Sequence, residues 1–136
     1  SDCSTQRNLS DVGRQDAKDI GEWLQRREIK IFRVETSRWC RAKETAQLLG
    51  IGKVRLNKNL DSLFEEADAL NHPQTAAVRK QIQNHRNKTG LLVLVGHYVN
   101  IAALTGVGVA SGEGILIKAN AQGEFKVFGT TPKLNR

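Results

Sequence analysis

The chain of 136 residues contains no methionine, two prolines, two cysteines and only 5% aromatic residues. Each scarcity excludes something. No stretch approaches the ~18 apolar residues of a spanning helix, which excludes an integral helical membrane protein. The few aromatics do not interleave with basic residues, and the longest basic clusters are the pairs Arg26-Arg27 and Arg79-Lys80. Neither a base-stacking platform nor a nucleic-acid-binding tail is therefore expected. Cys3 and Cys40 lie far apart, with no C-x-x-C and no His at ligand spacing, so a metal site is not expected. They are either two reduced thiols or one disulfide, and the count alone does not choose. A disulfide across so long a loop would add ~3–4 kcal/mol and needs an oxidising compartment. There is no Walker sequence and no G-x-S-x-G elbow. The glycines at 106, 108 and 112 are spaced wrongly for a dinucleotide fingerprint and follow a helix rather than a strand. Because the chain opens at Ser1 and holds no methionine, we expect its translation start to lie further upstream, where a signal peptide would not be visible.

What is present is enough for one folded domain. Hydrophobic residues make up 39% of the chain, and at this length roughly two thirds of the unfolded surface is removed from water. Lys and Arg number 21 against 14 Asp and Glu, for a formal charge of +7. The excess is uneven: residues 1–60 hold 13 basic and 8 acidic side chains, residues 61–136 hold 8 and 6. A basic surface favours anionic partners such as phosphate esters.

Periodicity predicts an alternation of helices and strands. Ser10 before Asp11 reads as a helix N-cap, and Ala17, Ile20, Gly21, Leu24 and Glu28 form one stripe, giving a helix over about 11–27. The run 31–37 reads as a strand and is followed by a helix from about Arg41 to Gly50 or Gly52. A partly exposed strand over 53–60 and an acidic loop over 61–71 come next. His72-Pro73 then opens a helix to about Lys88. Leu91-Leu92-Val93-Leu94-Val95 is the strongest strand signal; five consecutive aliphatics suggest the middle of a parallel sheet, buried on both faces. A short helix over 99–104 and a hairpin of 114–119 with 124–129 complete the chain. The expected fold is α/β: a single-domain three-layer sandwich with a mostly parallel central sheet and helices on both faces.

Two strand-to-helix junctions carry candidate chemistry. Gly96-His97 ends the most apolar strand, where open α/β sheets bind ligands beside unpaired helix N–H groups. Arg41 stands in the first turn of the second predicted helix, where a guanidinium fork and a helix N-terminus can both grip an oxyanion. The bland alternatives are a His satisfied by a backbone carbonyl, and a surface Arg paired with Glu44 or Glu35. Glu65-Glu66 reads as a solvated acidic pair unless its loop folds over Arg41 and His97. His72 reads as a cap or surface residue and His85 as solvated.

These motifs resemble the histidine phosphatase (phosphoglycerate-mutase-like) superfamily. The resemblance rests on Leu9-Ser10-x-x-Gly13-Arg14-x-x-Ala17, Ser37-x-x-x-Arg41-Ala42-x-x-Thr45-Ala46 and Val95-Gly96-His97, in that order. It extends to Asn100-Ile101-x-x-Leu104-Thr105-Gly106 and Ser111-Gly112-Glu113, nearly the whole chain. It implies a phosphomonoester hydrolase that needs no cofactor or metal and works through a phosphohistidine. Arg41 and His97 would be its second arginine and second histidine, Arg7 a further phosphate contact, and Glu65 or its neighbour Glu66 the general acid. The nucleophile of such enzymes sits in an N-terminal Arg-His-Gly strand, which this chain lacks. We expect roughly ten or more residues upstream of residue 1, enough for that strand. Alternatives are a non-catalytic anion-binding domain of the same fold and a mutase-type phosphotransferase, the latter disfavoured by the lack of long insertions. The resemblance also brings Cys3 and Cys40 near the mouth of the site. That implies a disulfide and a periplasmic or exported protein, with a cytoplasmic one as the alternative. The substrate would be a phosphorylated small molecule, lipid-linked phosphate or phosphoprotein; nucleic acid is not expected as a partner.

Overall fold

Ser10 accepts a hydrogen bond from the Gly13 amide and, with Asp11 in the first turn, starts α1 (Asp11–Arg26). The buried stripe of α1 is Ala17, Gly21 and Leu24. Gly21 has a steric reason to be there: a Cβ at this position would overlap the Leu49 carbonyl of the next helix. β1 (Ile31–Thr36) follows, then α2 (Cys40–Leu49), which buries Cys40, Ala42, Ala46 and Leu49. Gly50, at φ 62°, ends α2 in the left-handed region. These assignments come from a computed structural model that describes residues 2–132.

β2 (Val54–Leu56) is shorter than the strand expected over 53–60. The Asn57 side chain accepts from the Asn59 amide and turns the chain into a 3-10 segment, Lys58–Leu60, after only three extended residues. α3 (Pro73–His85) is capped by His72, whose Nδ1 accepts from the Gln74 amide at 3.1 Å. It stops short of Lys88, because His85 bonds the Gly90 carbonyl through Nε2 at 2.8 Å and stacks on Phe32. His85 is therefore packed rather than solvated. β3 (Leu91–Val95), α4 (Tyr98–Thr105) and the hairpin β4 (Ile115–Ala119) with β5 (Phe125–Thr130) complete the fold.

The parallel sheet has the order β2-β1-β3, and β4-β5 form a separate antiparallel pair. β3 is thus an edge strand, not the middle one, and each of its five residues is partly exposed. Its aliphatic run has a partner on one side only. The path from β1 through α2 to β2 moves one way across the sheet, and the path from β2 through α3 to β3 moves back. Right-handed crossovers then set α2 and α3 on opposite faces. α1 packs on α2, and α4 packs on α3. The result is an α/β fold with helices on both sides of a parallel sheet. The chain leaves β1 toward one face and β3 toward the other, which opens a crevice between their carboxyl ends.

Candidate active site

β1 and β3 are hydrogen-bonded neighbours with Thr36 opposite Val95, so the two junctions that follow them lie side by side. The Ser37 amide continues the ladder by donating to the Val95 carbonyl at 2.9 Å. From one junction α2 raises Arg41; from the other, His97 begins α4 as its N-cap residue. A guanidinium nitrogen of Arg41 lies 3.4 Å from His97 Nδ1, and His97 Nε2 lies 2.8 Å from Ser37 Oγ. Trp39 packs against both, its ring 5.2 Å from the imidazole and 5.1 Å from the guanidinium.

The acids that would have made Arg41 an ordinary surface residue are engaged elsewhere. Glu44 pairs with Arg14 at 3.0 Å, and Glu35 is bonded by Asn57 and Gln81 at 2.8 Å each and faces Arg33. His97 is only 6% exposed. Burial, reinforced by the Arg41 charge and opposed by Asp61, lowers its pKa to about 4, so the ring is neutral near pH 7. Asp61 receives bonds from the Arg38 amide at 2.9 Å, from Arg38 Nε at 2.8 Å and from Ser37 Oγ at 3.4 Å. Burial alone would raise the Asp61 carboxyl; the bonds from Arg38 and Ser37 outweigh it and hold the group below the usual range. The Arg41 guanidinium beside the carboxyl ends of β1 and β3 suits an oxyanion, and the imidazole next to it can donate to one when protonated. Among the described residues, no group of three or more His, Cys, Asp or Glu is arranged to hold a metal ion.

No protein-family model matches the sequence, and no curated protein matches it significantly. Solved structures do match. SixA, a protein histidine phosphatase complexed with tungstate, superposes with a TM-score of 0.72 at 16% identity, over 96% of this chain and 86% of SixA. A mycobacterial glucosyl-3-phosphoglycerate phosphatase complexed with VO3 gives 0.69 at 18% identity, over 93% of this chain and 87% of that protein. The chain has the histidine phosphatase fold. A phosphoserine phosphatase mutant from Entamoeba histolytica, in complex with phosphoserine, gives 0.63 at 16% identity over 93% and 85%.

On this histidine phosphatase fold the remaining candidates fall as follows. Cys3 and Cys40 are joined as a disulfide with Cα atoms 5.6 Å apart, which ties the first described residues to the start of α2. Gln6 reinforces the tie, its Oε1 accepting from the Cys40 amide at 2.9 Å. Arg7, the next residue, is exposed, and its side chain makes no hydrogen bond or ion pair among the described residues. The 61–71 loop is anchored beside His97: Asn100 accepts from the Leu63 amide at 3.0 Å and donates to the Asp61 carbonyl at 2.8 Å. Glu65 and Glu66 follow on its exposed part. Glu66 is held by His72 at 3.0 Å, whereas Glu65 makes no hydrogen bond or ion pair among the described residues, Arg41 and His97 included. Sequence reasoning missed Asp61 and Trp39 and did not single out Ser37, although Ser37 stands in the motif that contains Arg41. No local pattern marks Asp61, because its partners are two dozen residues away.

Proposed function

We propose that this chain forms the greater part of a metal-independent phosphomonoester hydrolase acting through a phosphohistidine. The observation that carries the reading is the Arg41–His97 pair, 3.4 Å apart at the crevice between β1 and β3. Arg41 holds two oxygens of the phosphoryl group by its fork, and His97 faces a third; together they offset the charge that spreads over these oxygens during transfer. Arg7, tethered near α2 by the disulfide, adds positive charge as the ester arrives.

None of the three histidines is free to attack phosphorus. His72 caps α3, His85 bonds Gly90, and His97 is held on both ring nitrogens. The nucleophile accordingly lies upstream of residue 1, on a strand laid against the free edge of β3. Because the Cys3–Cys40 bond keeps the start of the described chain at the carboxyl end of the sheet, such a strand runs parallel to β3. Its histidine forms a P–N bond as the ester P–O bond breaks, and Glu65 protonates the leaving oxygen. Water then attacks phosphorus, Glu65 takes its proton, the P–N bond breaks and inorganic phosphate leaves. Glu65 is preferred over Glu66 because His72 occupies the latter. The disulfide favours an oxidising compartment, hence a periplasmic or exported enzyme. The substrate is a phosphorylated small molecule, lipid-linked phosphate or protein, with no nucleic acid involved.

Hydrolysis of an aryl phosphate by the full-length gene product, with and without chelator, tests this reading. Turnover unaffected by chelator is expected. Folded full-length protein that binds tungstate but turns over no ester would favour the second reading, a non-catalytic oxyanion-binding domain, for which the lack of a free histidine speaks.

A further inference from the structure

The contacts around His97 carry a direction that the oxyanion site alone does not require. Guanidinium nitrogens only donate. Arg41 at 3.4 Å from Nδ1 is therefore a favourable neighbour only when Nδ1 is bare, which leaves the single ring proton on Nε2. Nε2–H then donates to Ser37 Oγ at 2.8 Å. Ser37 Oγ accepts a second bond from the Trp39 amide at 3.1 Å, so both its lone pairs are used. Its own proton has one acceptor left, the Asp61 carboxylate at 3.4 Å. Arg38 holds that carboxylate in place through Nε and the backbone amide. Ser37 is fully buried, so no water competes for its hydroxyl at the centre of this chain of donors.

We propose that Ser37 and Asp61 are positioning residues that hold His97 as its Nε2–H tautomer, so that an oxyanion binding beside Arg41 draws one proton from solvent onto Nδ1. The inference rests on the oxyanion-binding part of the functional reading above. A bare Nδ1 facing an oxyanion oxygen sets lone pair against lone pair. Protonation of Nδ1 turns that repulsion into a charge-assisted hydrogen bond. The resulting imidazolium donates from both nitrogens, outward to the oxyanion and inward to Ser37. The charged groups that bear on the ring are Arg41, from α2, which opposes protonation, and Asp61, from the loop after β2, which favours it. Arg38 pairs with Asp61 and tempers its effect. With the site empty, burial and Arg41 win and the ring is neutral; a bound oxyanion offsets the Arg41 charge and reverses the balance. Ser37 and Asp61 touch no substrate in this scheme. They act through His97.

Three histidines make the test tractable by 15N-resolved NMR. In the empty protein near neutral pH, His97 should appear as the Nε2–H tautomer. Calorimetric titration with tungstate, in buffers of different ionisation heat, should show uptake of about one proton per ion bound. Asp61→Asn and Ser37→Ala should each give a mixture of tautomers at His97 and weaken tungstate binding by about tenfold. Asp61→Asn, at a partly exposed position, supplies the readout if Ser37→Ala does not fold. An Nδ1–H tautomer in the wild type, variants that keep the wild-type tautomer, or no proton uptake (including failure to bind) would each overturn the proposal. These readouts need no turnover. A full-length gene product that passes them yet hydrolyses nothing would refute the hydrolase reading and leave this inference standing.

Discussion

His97 is the residue on which most of the chemistry converges, and its environment makes two measurable demands. Its pKa falls from an ordinary 6.5 to about 4 in the folded protein, chiefly through burial and secondarily through Arg41. Between those values the unfolded chain binds more protons than the folded one, so protonation favours unfolding. The stabilising effect of a neutral His97 is complete above about pH 6.5 and is lost as the pH falls through about 4. Thermal melts should therefore shift downward across this window in the empty protein, and His97→Gln should flatten that part of the dependence. An unchanged slope in the variant would show that other groups cause it. On the proposed mechanism His97→Ala removes a donor to the phosphoryl oxygens, and turnover by the full-length gene product should fall about 10²-fold or more. A rate within twofold of wild type would remove His97 from the machinery.

At the scale of elements, the start of α2 carries Arg41 yet has no side-chain cap of its own at Trp39. What holds it is a remote segment: the Cys3–Cys40 bond and the hydrogen bond from the Cys40 amide to Gln6. Cutting the bond releases the first residues of the chain and leaves a helix N–H unpaired beside the site. Cys3→Ser should cost up to about 3–4 kcal/mol of stability, the chain-entropy figure for a loop of this length. It should also weaken tungstate binding, because Arg41 loses its fixed base. Denaturant unfolding with and without reductant checks the first part, and calorimetry the second. Equal stability of the oxidised and reduced protein would show that the bond does not brace α2. This tie was open in the sequence, because two cysteines alone fit either redox state. Elements with internal rhythm were legible: the stripe of α1 and the run of β3 are each readable within one segment. β2 was misread for want of its neighbours, since the alternation in 53–60 continues past the point where Asn57 turns the chain. Arg41 and His97 were legible because strand-to-helix junctions are local. Ser37's role and Asp61's were not, because they exist only once β1, the 61–71 loop and α4 meet.

For the molecule as a whole, the decisive feature is the free edge of β3. The run of five aliphatics suggests a strand buried on both faces; in the structure each of the five is partly exposed, and the sheet supplies a neighbour on one side only. The same shortage recurs nearby. α4 is the most apolar helix and buries none of its residues fully, and Ile115, Leu116 and Ile117 of β4 are also only partly covered. A further strand paired with that free edge would cover β3, and the functional reading needs a strand there to bring in a nucleophile. The backbone states which amides would report it. The Leu91 amide donates toward β1, to the Lys30 carbonyl, and the Val95 carbonyl accepts from Ser37 on the same side. Alternation along a strand then turns the amides of Leu92 and Leu94 toward the free edge. In the 136-residue chain these two amides should exchange with solvent rapidly, while those of Val93 and Val95, paired with β1, exchange slowly. In the full-length gene product all four should be protected, because the added strand pairs with the edge. If Leu92 and Leu94 remain fast in a full-length protein that hydrolyses aryl phosphate, the nucleophile reaches Arg41 and His97 by another route and the sheet is not completed at β3.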